Sequence, residues 1–441
     1  KSHICGVRRD VRLIIFVHFI IGTAMPNFNP QQFRACFPYL QQNYLPQAPA
    51  LVYLDSAATA LKPQVLIDST VAFYQSAGSV HRSQHEAQQT ALYEQARELV
   101  AKWINAPSSE AVIWTSGTTQ AINSVAHGLA HLIKVDDEII ISEADHHANF
   151  VTWSILAQQC SAKLIVLPIN DQWLIESAVL QQALSPRTKI VAFNYISNVT
   201  GTEQPIADLI QTVRQTAAQA LVLVDCAQAI AHIQLDIQAL DADFYAFSAH
   251  KLYGPNGLGV LSGKPESLEK LSPLLYGGKM VDRITLERLD SKQTAIKQIS
   301  FNSLPYRLEA GTPNIAAVIG FGAVLNWLQT FDFVKMEAYT VNLAEKTKLR
   351  LQQYAKVRLF ASPQPSSVIS FVFDGINVSD LNTLLSEQGI ALRAGEHCAQ
   401  PYLARLQQKS TLRLSFAPYN NCDDVTRFFQ ALDNALALLE D

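Results

Sequence analysis

Residues 243–259 read DFYAFSAHKLYGPNGLG, and the reading of this stretch decides the fold. It begins as a short apolar strand and turns at a polar corner, Ser248-Ala249-His250-Lys251. A loop punctuated by glycine and proline follows. A lysine held just beyond a strand end, beside a serine and a histidine, suits Schiff-base chemistry with a carbonyl cofactor. The plainer reading is a surface lysine ahead of a turn. What the rest of the chain brings to the same edge decides between them.

Working outward, apolar runs recur at 111–115, 138–142, 163–168, 189–195, 220–224, 244–247 and 259–261. Most are continuous rather than alternating, as in strands buried on both faces. Helical patterns at 120–133 and 206–219 separate them. The expectation is an α/β fold, with a large domain built on a mostly parallel seven-stranded sheet covered by helices. Upstream, 29–45, 65–77 and 89–104 read as helices, and 51–54 as a short strand. Residues 279–306 mix charged and polar side chains and read as a long loop. From Ile315 a long helix leads into a smaller α+β unit with strands near 368–373 and 412–416. We therefore expect a large cofactor-binding domain at 47–314. A small domain at 25–46 with 315–441 carries a cysteine-bearing loop.

The chain has 441 residues, 49% hydrophobic and 16% charged, enough for a large core. Its formal net charge of −4 and lack of a basic run argue against nucleic acid as a partner. The six cysteines show no CxxC pair, which fits a reducing cytoplasm. Residues 1–24 carry a basic stretch and an apolar run too short to span a bilayer. The stretch resembles a signal peptide, but with Met25 following it reads rather as an upstream-start artefact, and no membrane association is expected.

In open α/β sheets, ligands gather beyond the carboxyl ends of the strands. Five such exits carry polar groups here: Ser116-Gly117-Thr118-Thr119, Asp145-His146-His147, Ser197-Asn198, Asp225-Cys226-Ala227-Gln228, and Ser248 with His250 and Lys251. Each would have a task around pyridoxal phosphate. Thr118 and Thr119, opening a helix, suit a dianionic phosphate, or they form an ordinary N-cap. Asp225 could pair with a ring nitrogen or cap a turn. His146 could stack on the ring or face solvent. Adjacent histidines do not match helical zinc spacing, so no metal is expected. Lys251 needs a partly buried, cationic neighbourhood to lose its proton. Neither GxGxxG after the first strand nor GxxxxGK[ST] is present.

The run Arg393-Ala394-Gly395-Glu396-His397-Cys398-Ala399-Gln400-Pro401 lies in the smaller unit. Basic neighbours and a loop setting would favour the Cys398 thiolate. Arg413, on the strand of TLRLSFAP, could clamp a carboxylate or form a structural ion pair.

Together YLDSAATALKP, SVHRSQH, SGTTQAIN, ADHHAN, SNVTG, DCAQ, SAHKLYGPNGLG, EAGTPN, RAGEHCAQP and LRLSFAPYN resemble the bacterial cysteine desulfurases. The likeness, from about Met25 onward, is to the branch described as cysteine sulfinate desulfinases. That branch lies within the class V aminotransferase family of fold-type I pyridoxal phosphate enzymes. The resemblance implies an aspartate-aminotransferase-like fold and a cytoplasmic homodimer with both active sites at the subunit interface. It implies Lys251 as the Schiff-base lysine, Asp225 at the ring nitrogen and His146 on the ring. Asn198 and Gln228 would contact the ring hydroxyl side. Thr118, Ser248 and His250 would hold the phosphate, and Gly277 or Gly278 with Thr312 would reach it from the other subunit. Arg413, with Asn198 and Arg393 beside it, would bind the substrate. Cys398 would accept sulfur as a persulfide, releasing alanine and passing sulfur to a small acceptor protein. Cysteine sulfinate and selenocysteine would be further substrates. His81 and Arg82 match a segment lining the partner's site. A selenocysteine lyase or an aminotransferase on the same fold is the nearest alternative. A silent scaffold binding a sulfur-transfer partner is the alternative from another class. Three features depart from the pattern. Cys226 stands where glycine is usual, Ser116 where a basic residue is common, and the segment from Val281 to Leu308 is longer than expected.

Overall fold

The computed structural model describes residues 28–41, 51–76, 78–81, 84–289 and 293–440. The N-terminal segment 1–24 and Arg82 lie outside the described residues. The first described helix, Pro30–Ala35, is capped by the Asn29 carboxamide, which accepts from the Gln32 N–H at 3.0 Å. The expected helix at 29–45 is shorter than the sequence reading gives. Pro38 has no N–H to continue it, and the chain passes into a 3-10 turn at Pro38–Leu40.

Strand β1 (Val52–Tyr53) is followed by β2 (Val112–Thr115), β3 (Glu138–Ser142), β4 (Lys163–Leu167), β5 (Thr188–Asn194), β6 (Leu221–Asp225), β7 (Phe244–Ser248) and β8 (Gly259–Gly263). β2 through β8 form a seven-stranded sheet in the order β2-β8-β7-β6-β5-β3-β4. The run β7-β6-β5-β3-β4 is parallel, and β8 is antiparallel to both neighbours. β2, β7 and β8 are buried along their whole length, which is why they read as unbroken apolar runs. Because β8 alone is reversed, six strands end on one edge and β8 starts there. Gly259 faces Thr115 and Ser248 across that edge. A Cβ on Gly259 would stand 2.4 Å from the Gly117 Cα, so only glycine admits this approach.

Residues 279–306, expected as a loop, instead hold a hairpin of β9 (Val281–Arg288) and β10 (Thr294–Phe301). Among the described residues its strands pair only with each other. Ile284, Leu286 and Ile296 are exposed, so no core face imposes the alternation that would have marked it as strand.

The smaller layer contains β11 (Val357–Phe360), β12 (Val368–Phe373), β13 (Ile390–Ala391), β14 (Arg393–Gly395) and β15 (Thr411–Ser415). Four of these make an antiparallel sheet, β11-β12-β15-β14. Phe371, Phe428, Phe429 and Leu432 pack its core. β1 pairs in parallel with β13, and Asp55 bridges Ser415, so this early strand is tied to the smaller layer. Conversely, the helix Ile315–Leu328 packs on the helices Gln64–Tyr74 and Ala87–Trp103. It is apolar at every position but Asn326, because 11 of its 14 residues are buried and Asn326 is exposed. No single described helix is long and apolar enough to cross a membrane.

A buried ion pair locks these helices to the main sheet. The Arg97 guanidinium donates to both carboxylate oxygens of Glu309 at 2.6 and 3.0 Å, and to the Val112 carbonyl at 2.6 Å. The Trp114 N–H donates to the same carboxylate at 2.8 Å.

Candidate active site

The strand ends of the main sheet and the Cys398 loop enclose a cavity of about 240 Å³. Lys251, Asp225, His146, Thr118, Thr119, Asn198, Gln228, Ser248 and His250 line it, together with Arg393, His397, Cys398 and Arg413. Residues of distant sequence meet here because parallel strands end side by side.

At one end, the helix Thr118–Leu129 begins without a described side-chain cap. The Ser248 hydroxyl accepts from the Thr118 N–H at 2.8 Å and pairs with the Thr118 hydroxyl at 2.7 Å. A helix N-terminus flanked by hydroxyls is a cradle for a phosphate dianion. At another wall lies Asp225, whose carboxylate accepts only the Ala227 N–H among its described hydrogen bonds, at 2.9 Å. Burial pushes its pKa up, against the pull of that N–H and of Lys251. A cationic ring N–H would be the missing partner. Lys251, half-buried in the cavity wall, has its amine drawn down to about 8 by desolvation, with Arg413 adding repulsion while Asp225 and Cys398 oppose the shift. An amine of lowered basicity, a buried carboxylate, a phosphate cradle and an aromatic wall are the donor set that pyridoxal phosphate requires. The residues fit that group.

His146 caps the helix His147–Cys160, its Nδ1 accepting from the Ala148 N–H at 3.0 Å. Burial, then Lys251, His147 and Arg413, lower its pKa to about 4. The ring is therefore neutral near pH 7, with its proton on Nε2. Burial and the neighbouring Lys251 and Lys62 bring His250 to about 4 as well. Gln228 donates to the Ala57 carbonyl at 2.9 Å.

Arg413 donates to Asp55 at 2.7 Å and to the Asn198 carbonyl at 3.0 Å, while its Nε is buried without a partner among the described residues. The ion pair and the cavity-facing position thus coexist. Arg393 lies 3.9 Å from the other Asp55 oxygen. The Asn198 amide donates to the His397 carbonyl at 2.7 Å. His397 and Cys398 both have φ of +53°. Two successive side chains in the left-handed region present the Cys398 thiol outward, next to a buried histidine. The five described cysteines are free. Cys226 is buried in the core below Asp225, and burial pushes its thiol well up.

Gly277, Gly278 and Thr312 are not at this cavity. They are exposed on the surface, where the Gly311 N–H donates to the Gly278 carbonyl at 2.9 Å. His81 is also elsewhere, paired with Glu94 at 2.8 Å.

The sequence reading assigns no role to four residues at or beside the cavity, although Asp145 and His147 stand in one of its polar strand exits. Asp55 anchors Arg413. Asp145 is fully buried and ties β3 to β5, accepting from the Ser142 and Asn194 N–H groups. Asn194 lines the wall with a buried carbonyl oxygen that has no partner among the described residues. His147 contacts the Cys398 loop. Asp55 and Asp145 each stand just past a strand, the position that singles out Asp225.

The sequence profile of the family described as Aminotransferase class-V matches residues 52–428. A "Probable cysteine desulfurase" of Pasteurella multocida is 64% identical over 413 residues, covering 94% of each chain. "Cysteine desulfurase CsdA" of Escherichia coli is 49% identical, covering 94% of this chain and 99% of its own. A crystal structure of the E. coli cysteine desulfurase CsdA in an S-sulfonic acid form superposes with a TM-score of 0.86 at 47% identity. It covers 93% of this chain and 99% of that one. By profile, sequence and fold, the chain belongs to the class V aminotransferase family, in its cysteine desulfurase branch.

Proposed function

We propose that the chain is a pyridoxal-phosphate-dependent cysteine desulfurase that converts cysteine to alanine and carries the sulfur as a Cys398 persulfide. One observation carries this reading: a half-buried lysine of lowered basicity and an exposed cysteine line the same cavity. Thr118, Ser248 and His250 would hold the phosphate, Asp225 the ring nitrogen and Lys251 the aldehyde carbon. Once bound, the cofactor supplies a sink for the electron pair left at the substrate α-carbon.

The protein's own part is positional and acid–base. Arg413, with Arg393 at the mouth, receives the substrate carboxylate. Lys251, partly neutral near pH 7, takes the α-proton. The Cys398 thiolate attacks the substrate sulfur; an S–S bond forms as the Cβ–S bond breaks, and the departing pair goes to Cβ. Protonation there completes alanine and leaves the persulfide on the protein. Cysteine sulfinate and selenocysteine carry groups able to depart without that attack, and we place them as further substrates. The exposed position of Cys398 suits handover to a small acceptor protein. The exposed Gly278 and Thr312, away from their own cavity, suit a homodimer in which they complete the partner's site.

The test is turnover of two variants. Lys251→Ala should lose every activity. Cys398→Ala should lose sulfur release from cysteine while retaining alanine formation from cysteine sulfinate. Wild-type cysteine turnover by Cys398→Ala would remove the persulfide from the proposal.

A further inference from the structure

The turn after β3 carries two adjacent histidines, and they face different tasks. His146 lines the cofactor cavity, whereas His147 reaches the loop that bears Cys398. The His147 main-chain N–H donates to the Cys398 carbonyl at 2.7 Å. Its ring Nε2 accepts from the Gln400 N–H at 3.1 Å. That N–H belongs to the first turn of the short helix Gln400–Arg405, where no intrahelical acceptor exists and the N-cap residue Ala399 has no polar side chain to offer. The accepting nitrogen must carry a lone pair, so the ring proton sits on Nδ1. His147 thus grips the backbone on both sides of Ala399.

The loop needs such a grip. His397 and Cys398 are both left-handed without being glycine, a conformation that persists only where the surroundings impose it. From the other side, the Asn198 amide holds the His397 carbonyl at 2.7 Å, and the His397 ring pairs with the Thr411 hydroxyl at 2.8 Å. His147 is the member of this set that also belongs to the turn carrying His146.

We propose that His147 is a positioning residue that registers the Cys398 loop to the cofactor wall. It acts through a ring hydrogen bond to the Gln400 N–H and a main-chain hydrogen bond to the Cys398 carbonyl. Resting on the desulfurase reading, this makes the distance from Cys398 to the substrate sulfur depend on a side chain that touches neither.

The experiment uses the cofactor-loaded protein with His147→Ala and His147→Gln. The glutamine amide oxygen can accept from Gln400 much as Nε2 does; alanine cannot. The readouts are hydrogen exchange at the Gln400 amide and the rate of persulfide appearance on Cys398 after mixing with cysteine, followed by intact mass. His147→Ala should speed the exchange and slow persulfide formation by about tenfold or more, in kcat rather than KM, at wild-type cofactor occupancy. His147→Gln should restore most of both. Unchanged Gln400 exchange, or wild-type persulfide formation in His147→Ala, overturns the proposal. If the wild-type protein forms no persulfide, the desulfurase reading falls, and the exchange at Gln400 alone decides whether the clamp exists.

Discussion

Lys251 should capture the cofactor's aldehyde with the pH dependence of a weak amine. An ordinary lysine amine titrates at 10.5, and burial, with Arg413 assisting, draws this one to about 8. The sign follows from the charge: enclosure penalises the ammonium form, so the proton leaves at lower pH. At pH 7 an amine titrating at about 8 is neutral about one time in ten, against about one in three thousand for an unshifted lysine. The shift therefore supplies about 300-fold more nucleophile. The perturbation is pH, applied to the apoprotein mixed with pyridoxal phosphate and followed by rapid absorbance. Borohydride reduction and peptide mass analysis then identify the lysine. Dividing by the rate of a free lysine analogue removes the cofactor's own titrations. The uncorrected rate should climb about fiftyfold from pH 6 to pH 8 and level off near pH 9. The corrected rate should fall as pH rises above 8, because the free amine continues to gain nucleophile while Lys251 no longer does. An uncorrected rate that still rises about tenfold per unit to pH 10 would refute the account of a desolvated, weakened amine. So would reduction onto any lysine other than Lys251.

Two further substitutions probe the frame around the site. Glu309→Ala strands the Arg97 guanidinium, 2% exposed, without its bidentate partner. It should lower stability by about 3–5 kcal/mol in denaturant titration, whereas an effect below about 1 kcal/mol would mean water replaces the carboxylate. Gly259→Ala forces a methyl group to within 2.4 Å of the Gly117 backbone, displacing the turn that precedes the phosphate cradle. The cost should be about 1–3 kcal/mol, seen as weaker cofactor binding in equilibrium titration. An unaltered affinity would show that the two strands can part without moving the cradle.

The main sheet is legible because its strands are buried on both faces. The run at 138–142 coincides with β3, and most of the others differ by a residue or two at their ends. The cavity residues at strand exits are legible for the same reason: once the strands are placed, their ends are too. What escapes is whatever depends on a partner distant in sequence. Nothing in Val52–Tyr53 says that it pairs with Ile390–Ala391. Nothing in TLRLSFAP says that Asp55 occupies Arg413. The hairpin at 281–301 escapes because neither face is buried, so composition alone speaks, and it is polar. The left-handed pair His397 and Cys398 escapes because the residue types that favour such angles, glycine above all, are absent at those positions.

Cys398 hangs between β14 and the helix Gln400–Arg405, on the smaller layer, while Lys251 and Asp225 belong to the main sheet. The two halves of the chemistry are therefore inherited through separate pieces of architecture. A longer or shorter excursion between Gly395 and Gln400 would change how the nucleophile is delivered without rebuilding the cofactor cradle. Such a scaffold can diversify its choice of leaving group, and the protein that collects it, by altering a few loop residues. The costly, deeply packed part meanwhile stays as it is.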